Sequence, residues 1–292
     1  MRDQKSDRAA YVMILPAYFT FTCFILVPIF LIVYYSLTDY NMFASPNFNS
    51  VKNYMRMATD EDFLKSVQNT LVYSLFDLIP QLSLGLLFAV LLHRPSRFIT
   101  VLRSAIYIPN VISMVCVSMA WLWIFNPTFG VLNHVISAIG IPEQTWLLDP
   151  AMALGCIIVM SIWKSCGYSM VIYLSGLTGI PASLYEAARI DGAGAFRQFT
   201  AITWPMLKPT TFFLLITGIV NSFSVFEQVN IMTNGGPLRS TTTIVHQIYR
   251  RGFLEFKMGY ASSMAVVLLI FSLLITILVF KFGSKGQDTD IS

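Results

Sequence analysis

Three ionisable residues, Asp77, Lys164 and Glu227, lie within or at the edge of long apolar runs. A charge at the centre of a membrane helix costs roughly 2.5–3.5 kcal/mol on insertion scales, so each is expected to face protein or water. Around Lys164, the residues Ser161, Ser165 and Tyr168 complete an i, i+3, i+4, i+7 series and share one side of a helix. Gly218, Asn221, Ser222 and Val225 repeat that arrangement more weakly. Hydroxyl, amide and phenol groups donate and accept hydrogen bonds, which suits a ligand rich in hydroxyls. Small and polar residues are equally at home where membrane helices touch, and the spacing leaves both readings open. Lys164 is open in the same way. It pairs with Asp77 or Glu227, or it meets an anionic solute, because an unpaired ammonium in a poorly solvated site is expensive.

Other chemistries are missing their parts. The chain has no G-x-x-x-x-G-K-[ST] loop, no G-x-S-x-G elbow and no H-E-x-x-H pair, so neither ATP binding through a P-loop nor enzyme activity is expected. Cys23, Cys116, Cys156 and Cys166 all fall in apolar runs without C-x-x-C spacing, and the three histidines are scattered, which indicates no metal site. No cofactor and no nucleic-acid partner are expected.

Membrane helices must position these groups. The 292 residues are 55% hydrophobic and 12% charged, against roughly 25% charged in soluble domains. A span needs about 20 apolar residues, and six candidates cover residues 11–36, 66–92, 104–125, 151–177, 210–232 and 259–280. The first follows a basic flank but is too long for a signal peptide and lacks a small-residue cleavage site, so a retained span is expected. Pro80 should kink the second. Between spans three and four a short helix is expected over 131–139, and 240–253 is a further candidate.

With both termini cytoplasmic, the inner segments hold Arg2, Lys5, Arg8, Arg94, Arg97, Arg103, Arg189, Arg197, Lys208, Lys281 and Lys285. The outer ones hold Lys52, Arg56, Lys65, Arg239, Arg250, Arg251 and Lys257. Eleven against seven favours that orientation under the positive-inside rule.

The charged loop 181–209 reads as a folded unit. Ser183 and Glu186 form an S-x-x-E capping box that should start a helix at Ser183. Glycine at 192 and 194 should end it. A second helix from about Ala195 would set Phe196, Phe199 and Ile202 along one side, and Pro205 and Pro209 limit how regularly the chain continues. Glu186-Ala187-Ala188, then Asp191-Gly192-Ala193, then Ile202 and Pro205, resemble the EAA loop of ABC-importer membrane subunits. Phe226, the run Met232-Thr233-Asn234-Gly235-Gly236-Pro237 and Met258-Gly259-Tyr260-Ala261 extend the resemblance to sugar permeases of the maltose and glycerol-phosphate type. Trp204 departs from it, standing where the family often has an aliphatic residue.

The resemblance implies an all-α, six-span type I importer permease, a single domain over 1–292, in the bacterial cytoplasmic membrane. It implies a second permease, two ATPase subunits carrying ATP and Mg, and an extracytoplasmic solute-binding protein docking near 126–150 and 234–257. Loop 181–209 would supply the coupling helices, with Glu186 pairing to a basic group and Phe196 and Phe199 as apolar anchors. The faces holding Ser161, Lys164, Ser165, Tyr168, Asn221 and Ser222 would line the path of a carbohydrate or polyol phosphate. Lys164 tilts that expectation slightly towards an acidic saccharide. The alternative is an ion-coupled transporter or channel with Asp77, Lys164 and Glu227 as a relay.

Overall fold

The computed structural model describes residues 4–284, with side chains described from 13 to 281. Its helices in chain order are α1 (Gln4–Phe21), α2 (Val27–Ser36), α3 (Lys52–Met57), α4 (Glu61–Leu91), α5 (Arg97–Val111), α6 (Met114–Ile124) and α7 (Val131–Ala138). They continue with α8 (Ala153–Thr178), α9 (Ala182–Ile190), α10 (Ala195–Gln198), α11 (Trp204–Phe223), α12 (Glu227–Met232), α13 (Ile244–Tyr249) and α14 (Met258–Ser284). Among the described residues the one β feature is an isolated bridge between Thr38 and Phe48. The expected termini, with Arg2 and Lys285, lie outside the described residues.

The chain divides into two compact units. The first comprises the residues up to Asp60 together with Gln247–Ile270. There α1, a π-helical turn at Thr22–Leu26 and α2 make one apolar rod, whose side chains stay exposed in this chain, Phe24 at 76%. The chain after α2 is pinned by Asn53, whose Nδ2 donates to the Ser36 and Thr38 carbonyls, each at 2.9 Å. Asp60 accepts from Tyr260 at 2.8 Å and pairs with Arg251 at 3.3 Å. Glu255 is held by Arg251 at 2.8 Å and Lys257 at 2.7 Å.

The second unit comprises Glu61–His246 and the residues from Phe271. Here α4 packs along α8, with α5 and α11 against α8 and α12 against α6. Two apolar clusters result. One joins Tyr73, Val117, Phe125, Ile157 and Val229, and the other joins Leu78, Met170, Tyr173, Leu207 and Leu214.

Among the described residues, five helical stretches are long and apolar enough to cross a membrane: Met13–Ser36, Glu61–Leu91, Ala153–Thr178, Ala195–Met232 and Met258–Lys281. The third expected span, 104–125, is not one helix. It breaks at Ile112–Ser113, where both residues are extended (ψ 140° and 139°), and α5 and α6 meet at 100°. Counted as one crossing, the pair makes six. Pro80 lies inside α4 without ending it, and Pro109 lies inside α5, three residues before its break.

The fifth expected span also differs. It begins fifteen residues earlier, at Ala195 rather than 210, because α10 passes through a π-helical turn at Phe199–Thr203 straight into α11. Pro205 does not interrupt it: the π-helical turn falls immediately ahead of Pro205, where a regular i→i−4 ladder would need the missing N–H. The stretch then breaks at Ser224–Phe226 before α12.

Candidate functional site

Tyr73, Asp77 and Gln81 recur every fourth residue on α4 and face the polar side of α8 across a cavity of about 320 Å³. Ser161, Ser165 and Tyr168 line it from α8, and Gly218, Asn221 and Ser222 line it from α11. Asn110 and Met114 contribute from either side of the α5–α6 break, and Gln228 from α12. Five of the six residues expected to share a path are therefore brought together. Helical periodicity groups them by face on α8 and α11, and the face of α4 follows the same rule.

Their hydrogen atoms are not equally available. Ser161 and Ser222 donate to the Ile157 and Ile219 carbonyls of their own helices, both at 2.9 Å. Thr217 donates likewise to Phe213, also at 2.9 Å. Gln81 Nε2 donates to Ser169 Oγ and Gln228 Nε2 to the Tyr73 hydroxyl, each at 3.1 Å. The side chains of Ser165, Tyr168 and Asn221 carry no such intrachain bond among the described residues, so their donors and acceptors stay open to a ligand.

Lys164 corrects the expectation. It is buried, at 6% exposure, and does not line the cavity. Its ammonium donates to the carbonyls of Pro109 at 3.0 Å, Asn110 at 3.1 Å and Ile112 at 2.7 Å. Those carbonyls lie at the broken end of α5, where no further helical turn supplies N–H partners. Neither Asp77 nor Glu227 forms an ion pair with Lys164 among the described residues. The lysine caps a broken helix, and the supposed relay is not assembled, since Glu227 is exposed and outside the cavity.

The loop 181–209 lies in the same unit. Its first helix starts at Ala182, not Ser183, with Pro181 at the N-cap and no side-chain capping bond. Ser183 thus falls inside the first turn instead of at the N-cap, so the S-x-x-E pattern goes unused. The far end closes as expected. Gly192 has φ +78°, its N–H reaches Arg189 O at 3.1 Å, and Ala193 N–H reaches Ala188 O at 2.8 Å. That is the paired bonding of a Schellman cap.

Glu186, Ala187, Asp191 and Gly192 are exposed, and Phe196 stands 80% exposed. Ala188 and Pro205 are half-buried, while Ile202 packs against the Tyr173–Leu207 cluster. Phe196 and Ile202 therefore do not share a face, because the π-helical turn lies between them. Tyr185 ties α9 to that turn through a 2.9 Å contact between its hydroxyl and Thr203 Oγ1.

A family described as "Binding-protein-dependent transport system inner membrane component" matches residues 81–285. A probable ABC transporter permease protein, YurN, of Bacillus subtilis is 33% identical over 283 residues, covering 95% of this chain and 97% of that protein. The sn-glycerol-3-phosphate transport system permease protein UgpA of Agrobacterium fabrum is 33% identical over 242 residues, covering 82% of each. A crystal structure of a bacterial alginate ABC transporter, in complex with an alginate pentasaccharide-bound periplasmic protein, includes a chain similar in fold. Its TM-score is 0.86 at 24% identity, with 96% of each chain covered.

Proposed function

The chain belongs to the family of binding-protein-dependent transport system inner membrane components, and from that premise we propose that it is the permease subunit of an ATP-driven importer for a carbohydrate or polyol phosphate. It is a multi-pass membrane protein with the type I ABC importer permease fold, a transport subunit rather than an enzyme. The finer reading follows the family. One permease domain, 1–292, pairs with a second permease in a bacterial cytoplasmic membrane, both termini inside. Two ATPase chains bind ATP and Mg and dock on loop 181–209, and a solute-binding protein docks outside.

One observation carries the mechanism. The helical run from Ala195 to Phe223 joins the exposed loop to the cavity without a gap, since α10 continues into α11. A push on Phe196 is thus delivered to Asn221 and Ser222 by a rod instead of a flexible hinge. Glu186 offers a carboxylate to a basic group of the ATPase, and Phe196 an apolar anchor. Ala187 and Ala188 keep α9 slim enough to approach a cleft. Asp191 and Gly192 form the turn between the two helices, and Ile202 with Pro205 anchors the second one to the core. Binding energy spent on the loop in only one ATPase state shifts the permease between its own states.

The acidic preference expected from Lys164 loses its basis, because that ammonium is satisfied by backbone. The sn-glycerol-3-phosphate relatives keep a polyol phosphate in view. The test is uptake by proteoliposomes holding both permeases, the ATPases and the binding protein. Glu186→Arg and Phe196→Asp should leave the chain folded while ATPase co-purification or ATP-driven saccharide uptake falls. Normal uptake and recovery in both variants would refute the coupling role.

A further inference from the structure

Asp77 is the one carboxylate lining the cavity among the described residues, 7% exposed, and its Oδ1 has no hydrogen-bond partner. A buried acceptor without a donor is expensive, and native structures rarely leave one unless a ligand or water completes it. No side chain of the cavity donates to that oxygen. No lysine, arginine or histidine lines the cavity among the described residues. Lys164 directs its ammonium at three carbonyls instead. Gln81 and Gln228 bond to Ser169 and Tyr73, and Ser161, Ser222 and Thr217 give their protons to backbone.

Resting on the transport reading above, we propose that Asp77 is a specificity-determining residue: its carboxylate accepts hydrogen bonds from the hydroxyls of an uncharged saccharide and excludes anionic ones. A hydroxyl-to-carboxylate bond is charge-assisted and short, the strongest kind a neutral sugar can make with a protein side chain. Ser165, Tyr168 and Asn221, whose side chains are not committed elsewhere, supply the neutral donors and acceptors for the remaining hydroxyls. A uronate or phosphate entering the same space brings a second negative charge beside the first. No cation of this cavity offsets it, so one of the two groups must take up a proton before both fit, a cost that the neutral sugar does not meet. The cavity of this chain is therefore ill-suited to the anionic solute named for the glycerol-phosphate relatives.

The experiment uses the complete importer in proteoliposomes, with both permeases, the ATPases and the binding protein. The probes are glucose-based di- and trisaccharides, each paired with the counterpart whose C6 is oxidised to a uronate. Wild type should take up the neutral member of each pair at least about tenfold faster, the scale of one hydrogen bond to a charged group. Asp77→Asn keeps the shape and removes the charge. It should slow neutral uptake by about the same factor and narrow the gap between pair members. The binding protein is common to both complexes, so a change in that gap belongs to residue 77. Equal wild-type uptake of neutral and uronate members would overturn the proposal without needing any variant. Unchanged neutral uptake in an assembled Asp77→Asn complex would overturn it as well. A wild type that imports neither a saccharide nor glycerol phosphate in response to ATP would instead overturn the transport reading, and the proposal with it.

Discussion

Lys164 shows what a single buried charge does here. Its three carbonyl partners leave α5 just where the helix breaks, and each buried carbonyl left unmet costs about 1–3 kcal/mol. Lys164→Met should lower the stability of the assembled permease by about 3 kcal/mol or more, read as a fall in the thermal midpoint of the purified complex. Adding Asp77→Asn should give no rescue; rescue would restore the ion-pair reading. The spacing of Ser161, Lys164, Ser165 and Tyr168 showed correctly that they share a helix face. It could not show that the neighbouring helix ends opposite the lysine, because the break at Ile112–Ser113 has no glycine and follows Pro109 by three residues. A second residue-scale expectation concerns Glu255. Burial pushes its carboxyl up, but hydrogen bonds and charge from Lys257 and Arg251 outweigh that and hold it below its ordinary value. A depressed native pKa stabilises above the unfolded value and is lost as pH falls through the native one. Acidification below the ordinary carboxyl value of 4.5 should therefore loosen the 250–257 segment, seen as faster proteolysis there. Glu255→Gln should remove that pH dependence, and a variant with the wild-type pH profile would rule the carboxylate out.

At the scale of elements, two glycines do different work. Gly167 lies three residues after Lys164, and a Cβ there would sit 2.2 Å from the Ile106 carbonyl oxygen. The close approach of α5 to α8 at Gly167 is what lets Lys164 reach Pro109, one turn further along α5. Gly167→Ala should cost about 1–3 kcal/mol by overpacking and should weaken the capping by Lys164, so its effect should not add to that of Lys164→Met. Strict additivity in a double-mutant stability cycle would separate the two. Gly192 meets no steric obstacle, since a Cβ at that position would have no neighbour within 4 Å, but its φ of +78° disfavours any other residue. Gly192→Val should cost about 1–3 kcal/mol of local strain and reorient α9 against α10. Loss of ATPase co-purification with the fold retained is the expected readout, and full recovery would dissociate the turn from coupling. The Schellman end of α9 was legible because glycine at a helix end has a physical meaning. Its start was misplaced because Pro181 competes with the S-x-x-E pattern and prevails. The rod from Ala195 does not show in the sequence because Pro205 and Pro209 read as breakers, whereas the helix runs through both, with a π-helical turn immediately ahead of Pro205.

At the scale of the whole chain, the broken pair α5–α6 decides the topology by parity. Five spans alone would put the two ends of the chain on opposite sides of the membrane. Counting the pair, bent by 100°, as a sixth crossing returns them to the same side. Apolar length and composition located four of the spans within a few residues, but they do not distinguish a crossing from a re-entrant turn. The lysine and arginine distribution leans towards even parity, and loop 181–209 gives the same answer if a cytoplasmic ATPase docks there. Residues 126–150, which follow α6, separate the two cases. If α5–α6 crosses, this segment is outside and Arg197 is inside. If the pair turns back, 126–150 lies on the same side as His93 and Arg94. Single cysteines at 94, 137, 197 and 285, placed on a background without Cys23, Cys116, Cys156 and Cys166, distinguish these arrangements in intact cells. A membrane-impermeant thiol reagent should label 137 alone, with 94, 197 and 285 reacting only after permeabilisation. Shielding of 137 together with 94, and labelling of either 197 or 285 from outside, would reduce the count to five and remove the docking geometry on which the coupling reading stands.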